Sequence, residues 1–149
     1  MGSTAFAAAG LQNSETIGAV TLTSTGSAAT SNVGSYNITA ATATGGTFDI
    51  NNYNISYANG SLSVTAAPLT VTANNQSRTY GAANPTAGAV TVTGGQLYHS
   101  DTLGNASLSS TATSTTAAGS TVNLSASAQT FSAGSAGNYN ISYVNGSLS

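Results

Sequence analysis

Apolar and polar residues alternate along several short stretches of the chain, and each alternation has the two-residue period of a β-strand. The pattern predicts strands at residues 20–23, 36–39, 69–72, 89–93 and 122–125. No stretch of the sequence shows the 3.6-residue period of an amphipathic helix. The segments 10–18 and 95–104 have room for a single helical turn each. The hydrophobic pattern therefore predicts an all-β fold.

Two Asn-Gly pairs, Asn59-Gly60 and Asn145-Gly146, are each flanked by alternating apolar residues. Asn-Gly is typical of the two-residue type I′ turn that joins adjacent antiparallel strands. A hairpin folded at Asn59-Gly60 would place Tyr57 opposite Leu62, and all apolar residues of the two strands would then share one face. The sequence therefore predicts a β-hairpin at each pair.

The chain contains an internal repeat. Residues 52–57 and 138–143 both read Asn-Tyr-Asn-Ile-Ser-Tyr, at an offset of 86 residues. A separate segment, 14–18, matches 100–104 at the same offset. A unit of this length is too long for one coil of a solenoid and has the size of a small domain. The expected fold is therefore a tandem of small β-sandwich-like domains with an 86-residue repeat.

The registration of the repeat predicts two domains. Residues 1–66 are expected to form a first β repeat that is clipped at its N-terminus, because it lacks the counterpart of 69–85. Residues 1–3 are interpreted as the remnant of an expression vector. Residues 67–149 are expected to form a nearly complete second repeat. The joint between them is short, which favours an elongated arrangement.

The composition argues against several classes of function. Ala, Thr, Ser, Gly and Asn supply 105 of the 149 residues, and cysteine is absent. The only formal charges are Glu15, Asp49, Asp101 and Arg78, and His99 is the single histidine. Acid–base catalysis and metal binding draw on clustered titratable side chains, and nucleic-acid binding needs many basic ones. We therefore expect no enzyme activity, no catalytic residue, no cofactor, no metal site and no nucleic-acid partner.

A membrane-spanning helix needs about 18 consecutive apolar residues, and no run in the sequence approaches that length. The sequence therefore predicts no membrane insertion. The abundance of small polar residues raises the question of disorder, but disordered chains usually combine low hydrophobicity with high net charge. The net charge here is only −2, so we expect a folded chain.

The segment that opens the second repeat carries a family resemblance. It reads Ala-Pro-Leu-Thr-Val-Thr-Ala from residue 67 and continues with Tyr80-Gly81 and Asn84-Pro85. The stretches 100–103 and 138–148 follow in the order that the family shows. Together these motifs resemble the MBG domain of the YGX type, a repeat of large bacterial surface proteins of the filamentous-haemagglutinin and related adhesin kind. The resemblance covers nearly the whole chain and implies a stalk or spacer module without catalytic residues.

Tyr80, Gly81, Asn84 and Pro85 form the most distinctive local motif of the second repeat. We interpret it as a turn, because glycine tolerates a positive φ and proline fixes its own φ. A recognition loop is the alternative interpretation. Arg78 is expected to donate hydrogen bonds to backbone carbonyls or to stack on Tyr80. The candidate site residues, which are this motif and the two Asn-Gly pairs, are thus assigned structural roles.

The leading functional hypothesis is a structural stalk or spacer repeat of a secreted or cell-surface bacterial adhesin, with neighbouring repeats of the same parent protein as partners. One alternative is a module that contacts a glycan or a host protein through exposed aromatic rings. The tyrosines at 53, 57, 139 and 143 are assigned to cores, which weighs against it. A second alternative is self-association by β-strand complementation, because few charges protect the strand edges and the clipped repeat leaves an edge open.

Overall fold

The computed structural model describes residues 5–149 of the chain. Residues 1–4 lie outside this range. They include residues 1–3, which we interpret as a vector remnant. The backbone divides into two compact units, one that ends at Thr65 and one that covers Ala66–Ser149. The predicted boundary, between residues 66 and 67, is one residue away from this division.

The N-terminal unit contains a three-stranded antiparallel sheet with the order β1-β2-β3. Its strands are β1 (Ile17–Thr23), β2 (Gly34–Gly46) and β3 (Gly60–Val64). Two short 3₁₀ helices, Thr25–Ser27 and Ile50–Asn52, connect them. Val20 and Ala43 are the buried apolar side chains among the described residues of this unit. Its core is therefore small.

The C-terminal unit contains three sheets, with the strand orders β11-β4-β6, β12-β9-β8-β5 and β10-β7. The strands are β4 (Ala67–Ala73), β5 (Ala87–Gly88), β6 (Val90–Gly95), β7 (Thr102–Leu103), β8 (Ala106–Ser110), β9 (Val122–Ser127), β10 (Phe131–Ala133), β11 (Tyr139–Val144) and β12 (Gly146–Leu148). A 3₁₀ helix, Ala136–Asn138, precedes β11. The central strand β4 pairs parallel with β11 and antiparallel with β6.

Strand β4 supplies the centre of the core of this unit. Leu69, Val71 and Ala73 alternate along it and are 1%, 0% and 2% exposed. Leu69 and Val71 pack in one cluster with Tyr139 of β11. Ala73 belongs to a second cluster with Leu124 of β9, in the four-stranded sheet. Side chains of two sheets thus meet in one interior, which is the arrangement of a β-sandwich.

The predicted all-β, β-sandwich-like fold is confirmed. Four of the five predicted strands lie wholly within observed ones, and the fifth was predicted to begin one residue before β6. The two segments with room for a helical turn, 10–18 and 95–104, contain bent turns and parts of strands but no helix. Alternation therefore located these five strands, whereas the alternating segment 53–57 forms no strand.

The predicted hairpins are wrong. In the N-terminal unit β3 pairs with β2, so that Leu62 faces Tyr36 and not Tyr57. In the C-terminal unit β11 pairs with β4, whereas β12 pairs with β9 of the other sheet. A type I′ turn needs a positive φ at both central residues, and neither Asn-Gly pair has one. The chain crosses between sheets at Asn145-Gly146, and Tyr139 and Ile141 of β11 pack in one cluster with Leu69 and Val71 of β4.

Candidate functional site

The same bent turn occurs in both units, at residues 12–15 and 98–101. In each turn the last N–H donates to the first C=O, at 2.9 Å and 2.8 Å respectively. The central residues, Asn13-Ser14 and His99-Ser100, all have a positive φ between 50° and 64°. This backbone conformation is uncommon outside glycine. Other interactions must therefore hold these turns in place.

In the C-terminal unit the hydroxyl of Tyr139 ties this turn to β11. It donates a hydrogen bond to Oδ2 of Asp101 at 2.7 Å and accepts one from the N–H of Tyr98 at 2.9 Å. The ring is 7% exposed and stacks on Phe131, with a centroid distance of 5.3 Å. Burial raises the pKa of Tyr139, and the hydrogen bond to Asp101 raises it further. The hydroxyl therefore stays protonated and keeps its donor role at neutral pH.

The N-terminal unit has the same arrangement 86 residues earlier. The hydroxyl of Tyr53 donates to a carboxylate oxygen of Glu15 and accepts the N–H of Gln12 at 3.0 Å. The hydrogen bond to Glu15 is the largest cause that raises the pKa of Tyr53. The ring lies at a tilt to Phe48, with a centroid distance of 6.4 Å. Glutamate and aspartate thus serve the same purpose in the two units.

A second pair of tyrosines holds a second bend in each unit. The hydroxyl of Tyr57 accepts the N–H of Ala43 at 2.8 Å, and that of Tyr143 accepts the N–H of Gln129 at 2.9 Å. The residue before each of these N–H groups has a positive φ, 51° and 47°. The rings of Tyr57 and Tyr143 are 40% and 36% exposed. The assignment of these two rings to cores is therefore wrong, although their hydroxyl groups are engaged.

These tyrosine hydroxyl bonds are not among the contacts predicted from the sequence, although the sequence carries a signal for them. Tyr53 and Tyr139 each follow their acidic partner by 38 residues. An acid and a tyrosine that recur together at the repeat offset are a pattern that predicts contact. Asp49 has a different role: its carboxylate accepts a hydrogen bond from the N–H of Asn51 at 3.0 Å and caps the start of a 3₁₀ helix.

The Tyr-Gly motif lies in a turn over residues 79–82, closed by a hydrogen bond of 3.0 Å between the last N–H and the first C=O. Gly81 has a φ of 86°, which a residue with a Cβ atom rarely adopts. The side-chain amide of Asn84 donates to the carbonyl of Ala112 at 2.7 Å. Tyr80 is 62% exposed. Gly81 and Asn84 thus shape the loop, and Tyr80 presents its ring to solvent.

Arg78 joins this turn to a neighbouring loop. Its guanidinium donates to the carbonyl of Ala82 at 3.1 Å and to the carbonyl of Thr113. Pro85, which ends the motif, is half buried. A cavity of about 90 Å³ lies beside Arg78 and Tyr80. Two of the donors of the guanidinium are thus occupied by backbone oxygens.

Asn145-Gly146 lies where the chain leaves β11 for β12, whereas Asn59-Gly60 lies at the start of β3. Asn145 is exposed, and Gly146 lies directly against β4. A Cβ atom at Gly146 would come within 2.2 Å of the carbonyl oxygen of Ala73. Asn59 and Gly60 are both exposed. The glycine of the C-terminal pair therefore permits a close approach between two strands and does not form a hairpin turn.

Within residues 5–149, no group of three or more histidine and acidic residues lies close enough to hold a metal ion. The helices of this same range are too short to cross a bilayer.

The family model of the MBG domain (YGX type) matches residues 2–63 and 69–149, one match in each unit. The chain belongs to this family. The resemblance inferred from the motifs is thereby confirmed, and the chain carries two MBG repeats. MBG domains are associated with extracellular or surface proteins, and they are not known as enzymes. No curated protein and no solved structure matches the chain.

Proposed function

We propose that the chain is a structural stalk or spacer segment of a secreted or cell-surface bacterial adhesin, without catalytic activity. The observation that carries this proposal is the use of the side chains that recur in both MBG repeats. Tyr53 and Tyr139 hold one bend of their own units, and Tyr57 and Tyr143 hold another. What the two repeats have in common is therefore a set of bonds that fix backbone shape.

The small polar side chains support the same proposal. They bond to one another across neighbouring strands, as Thr72 does with Thr93 at 2.9 Å and Ser35 with Ser61 at 3.1 Å. Outward-facing threonine suits a strand because it is β-branched and polar. The lone cation, Arg78, is bonded to backbone carbonyls. These groups strengthen the strand pairs and turns, which is what a spacer requires.

An experiment with a separate binding head tests the spacer proposal. A protein with a known ligand would be joined to a bead through zero, one, two or three copies of the 149-residue chain, and the bead would carry a polymer layer. We expect capture of the ligand to rise with the number of copies, because each copy lifts the head further above the layer. Beads that carry the chain without the head should capture nothing. Capture that does not change with copy number would contradict the proposal.

The second candidate is a module that contacts a glycan or a host protein. It is favoured by Tyr80, whose ring is 62% exposed beside the Arg78 guanidinium and the small cavity. An exposed ring next to polar groups is a common stacking surface for a sugar. Screening of the chain and of Tyr80→Ser on a glycan array decides between the candidates. Binding by the chain that Tyr80→Ser abolishes would support the second candidate, and the absence of binding by the chain would contradict it.

A further inference from the structure

The opening segment of the C-terminal unit and the segment that comes last in it run side by side in the same direction. Strand β4, which opens the unit, pairs parallel with β11 over six consecutive residue pairs, from Ala67 with Tyr139 to Thr72 with Val144. In a parallel pair the hydrogen bonds are evenly spaced along both strands. The two segments therefore start at one end of the unit and proceed together towards the other.

A second parallel ladder continues the first one beyond these strands. The N–H of Gln76 donates to the carbonyl of Ser147 at 2.8 Å, and the N–H of Ser149 donates to the carbonyl of Gln76 at 3.1 Å. The N–H of Arg78 then donates to the carbonyl of Ser149 at 2.8 Å. The opening and closing segments of the unit are thus joined along most of their length.

Buried side chains fix this parallel pair to the rest of the unit. Leu69 and Val71 of β4 are 1% and 0% exposed, and they pack in one cluster with Tyr139 and Ile141 of β11. On its other side β4 pairs antiparallel with β6. Strand β4 can therefore leave the sheet only if two ladders break and a buried face becomes exposed to water.

The parallel direction decides how tension along the chain acts on this pair. A force applied between residues 65 and 149 pulls at the start of β4 and at the far end of the closing segment. These two points lie at opposite ends of the pair, because its segments are parallel. The force then acts along the strands, and all the ladder hydrogen bonds bear it together. A force that separates the strands at one end would instead break the bonds one after another.

We propose that the parallel pair of β4 and β11, extended by residues 76–78 and 147–149, is a mechanical clamp with which the C-terminal MBG repeat resists unfolding under tension. The chain has no cysteine, so no disulfide bears this force. Forced unfolding is governed by the unfolding rate, and a barrier that requires many bonds to break together lowers that rate. The inference goes beyond the proposed spacer function, because the bead assay measures reach in the absence of tension.

Single-molecule pulling of the 149-residue protein in two directions tests the clamp. Since the chain has no cysteine, pairs of introduced cysteines can hold the pulling handles at exposed positions. Thr65→Cys with Ser149→Cys applies the force along the strands. Thr65→Cys with Ala136→Cys is the matched control. Ala136 lies shortly before β11, so this second pair of handles separates β4 and β11 at the end where both begin.

We expect the C-terminal unit to unfold at a force about twofold or more higher in the first direction than in the second, at the same loading rate. The gain in contour length identifies the unit that has unfolded. Both variants share Thr65→Cys, and the side chains of Ser149 and Ala136 are exposed. The comparison therefore reports the direction of the force on one folded structure.

Equal unfolding forces in the two directions would overturn the proposal, because the ladder would then bear no more force in shear than in peeling. A higher force in the second direction would overturn it as well. Neither result bears on the spacer proposal, since capture in the bead assay could still rise with copy number. The two proposals can therefore fail separately.

Discussion

The hydroxyl of Tyr139 lies 2.7 Å from Oδ2 of Asp101, and the two residues are 38 positions apart in the chain. The same hydroxyl oxygen accepts a hydrogen bond from the N–H of Tyr98, so one hydroxyl group bonds to both a carboxylate and a backbone donor. An equivalent pair, Tyr53 and Glu15, holds the corresponding turn of the N-terminal unit. In both repeats the strained turn is thereby fastened to the segment that directly follows a 3₁₀ helix.

Removal of the Tyr139 hydroxyl should destabilise the C-terminal unit. Tyr139→Phe keeps the stacked ring but leaves the Asp101 carboxylate and the Tyr98 N–H without this partner. Loss of a hydrogen bond to a charged group in a buried place costs about 1–3 kcal/mol. Chemical denaturation would measure the loss in the free energy of unfolding. Tyr80→Phe, at a ring that is 62% exposed, is the control and should change it little. Equal effects of the two variants would contradict the role of the Tyr139 hydroxyl.

The stability of the protein should fall at alkaline pH. Burial raises the pKa of Tyr139 above the usual 10.0, and the bond to Glu15 raises that of Tyr53. A raised pKa in the folded state means that stability is fully present below the unfolded-state pKa and is lost as pH rises through the folded-state value. We therefore expect the free energy of unfolding to decrease above about pH 10. Denaturation curves between neutral pH and about pH 12 measure it, and Tyr139→Phe should flatten the decrease.

The two equivalent glycines should respond in opposite ways to the same substitution. Gly146→Ala places a methyl group within 2.2 Å of the Ala73 carbonyl, and the strands must separate to admit it. Overpacking of this kind costs about 1–3 kcal/mol. Gly60→Ala is the matched control, because its methyl group meets Ile38 only at an ordinary contact distance of 3.6 Å and the substitution reduces the entropy of the unfolded chain. Thermal unfolding of both variants measures the difference. A Gly60→Ala variant as unstable as Gly146→Ala would contradict the difference in the surroundings of the two glycines.

Truncation of equivalent core residues should cost more unfolding free energy in the C-terminal unit than in the N-terminal unit. Leu124 is 0% exposed, so Leu124→Ala removes about 3–5 kcal/mol from the free energy of unfolding. Ile38, its counterpart, is only half buried, so Ile38→Ala removes a smaller amount, about 1–2 kcal/mol. Hydrogen exchange resolved by residue assigns each loss to its own unit. Equal losses would mean that the N-terminal core is as well covered as the C-terminal one.

The sequence by itself determined the class of fold, the repeat and the family. Alternation of apolar and polar residues is a local property, because side chains of any strand point to opposite faces. Residues 20–23 and 122–125 could therefore be assigned to strands before their partners were known. The 86-residue offset and the Tyr-Gly motif are also properties of the chain alone. They do not depend on which strands lie side by side.

Only the tertiary structure decided how the strands pair. The alternation at Tyr139 and Ile141 is satisfied equally by a hairpin with 146–148 and by a parallel pairing with β4. Burial of Leu69 and Val71 against β11 selects the second, and this involves residues about 70 positions apart. The Asp101–Tyr139 hydrogen bond likewise joins residues 38 positions apart. Such contacts depend on which surfaces meet in the folded chain, and local periodicity carries no information about them.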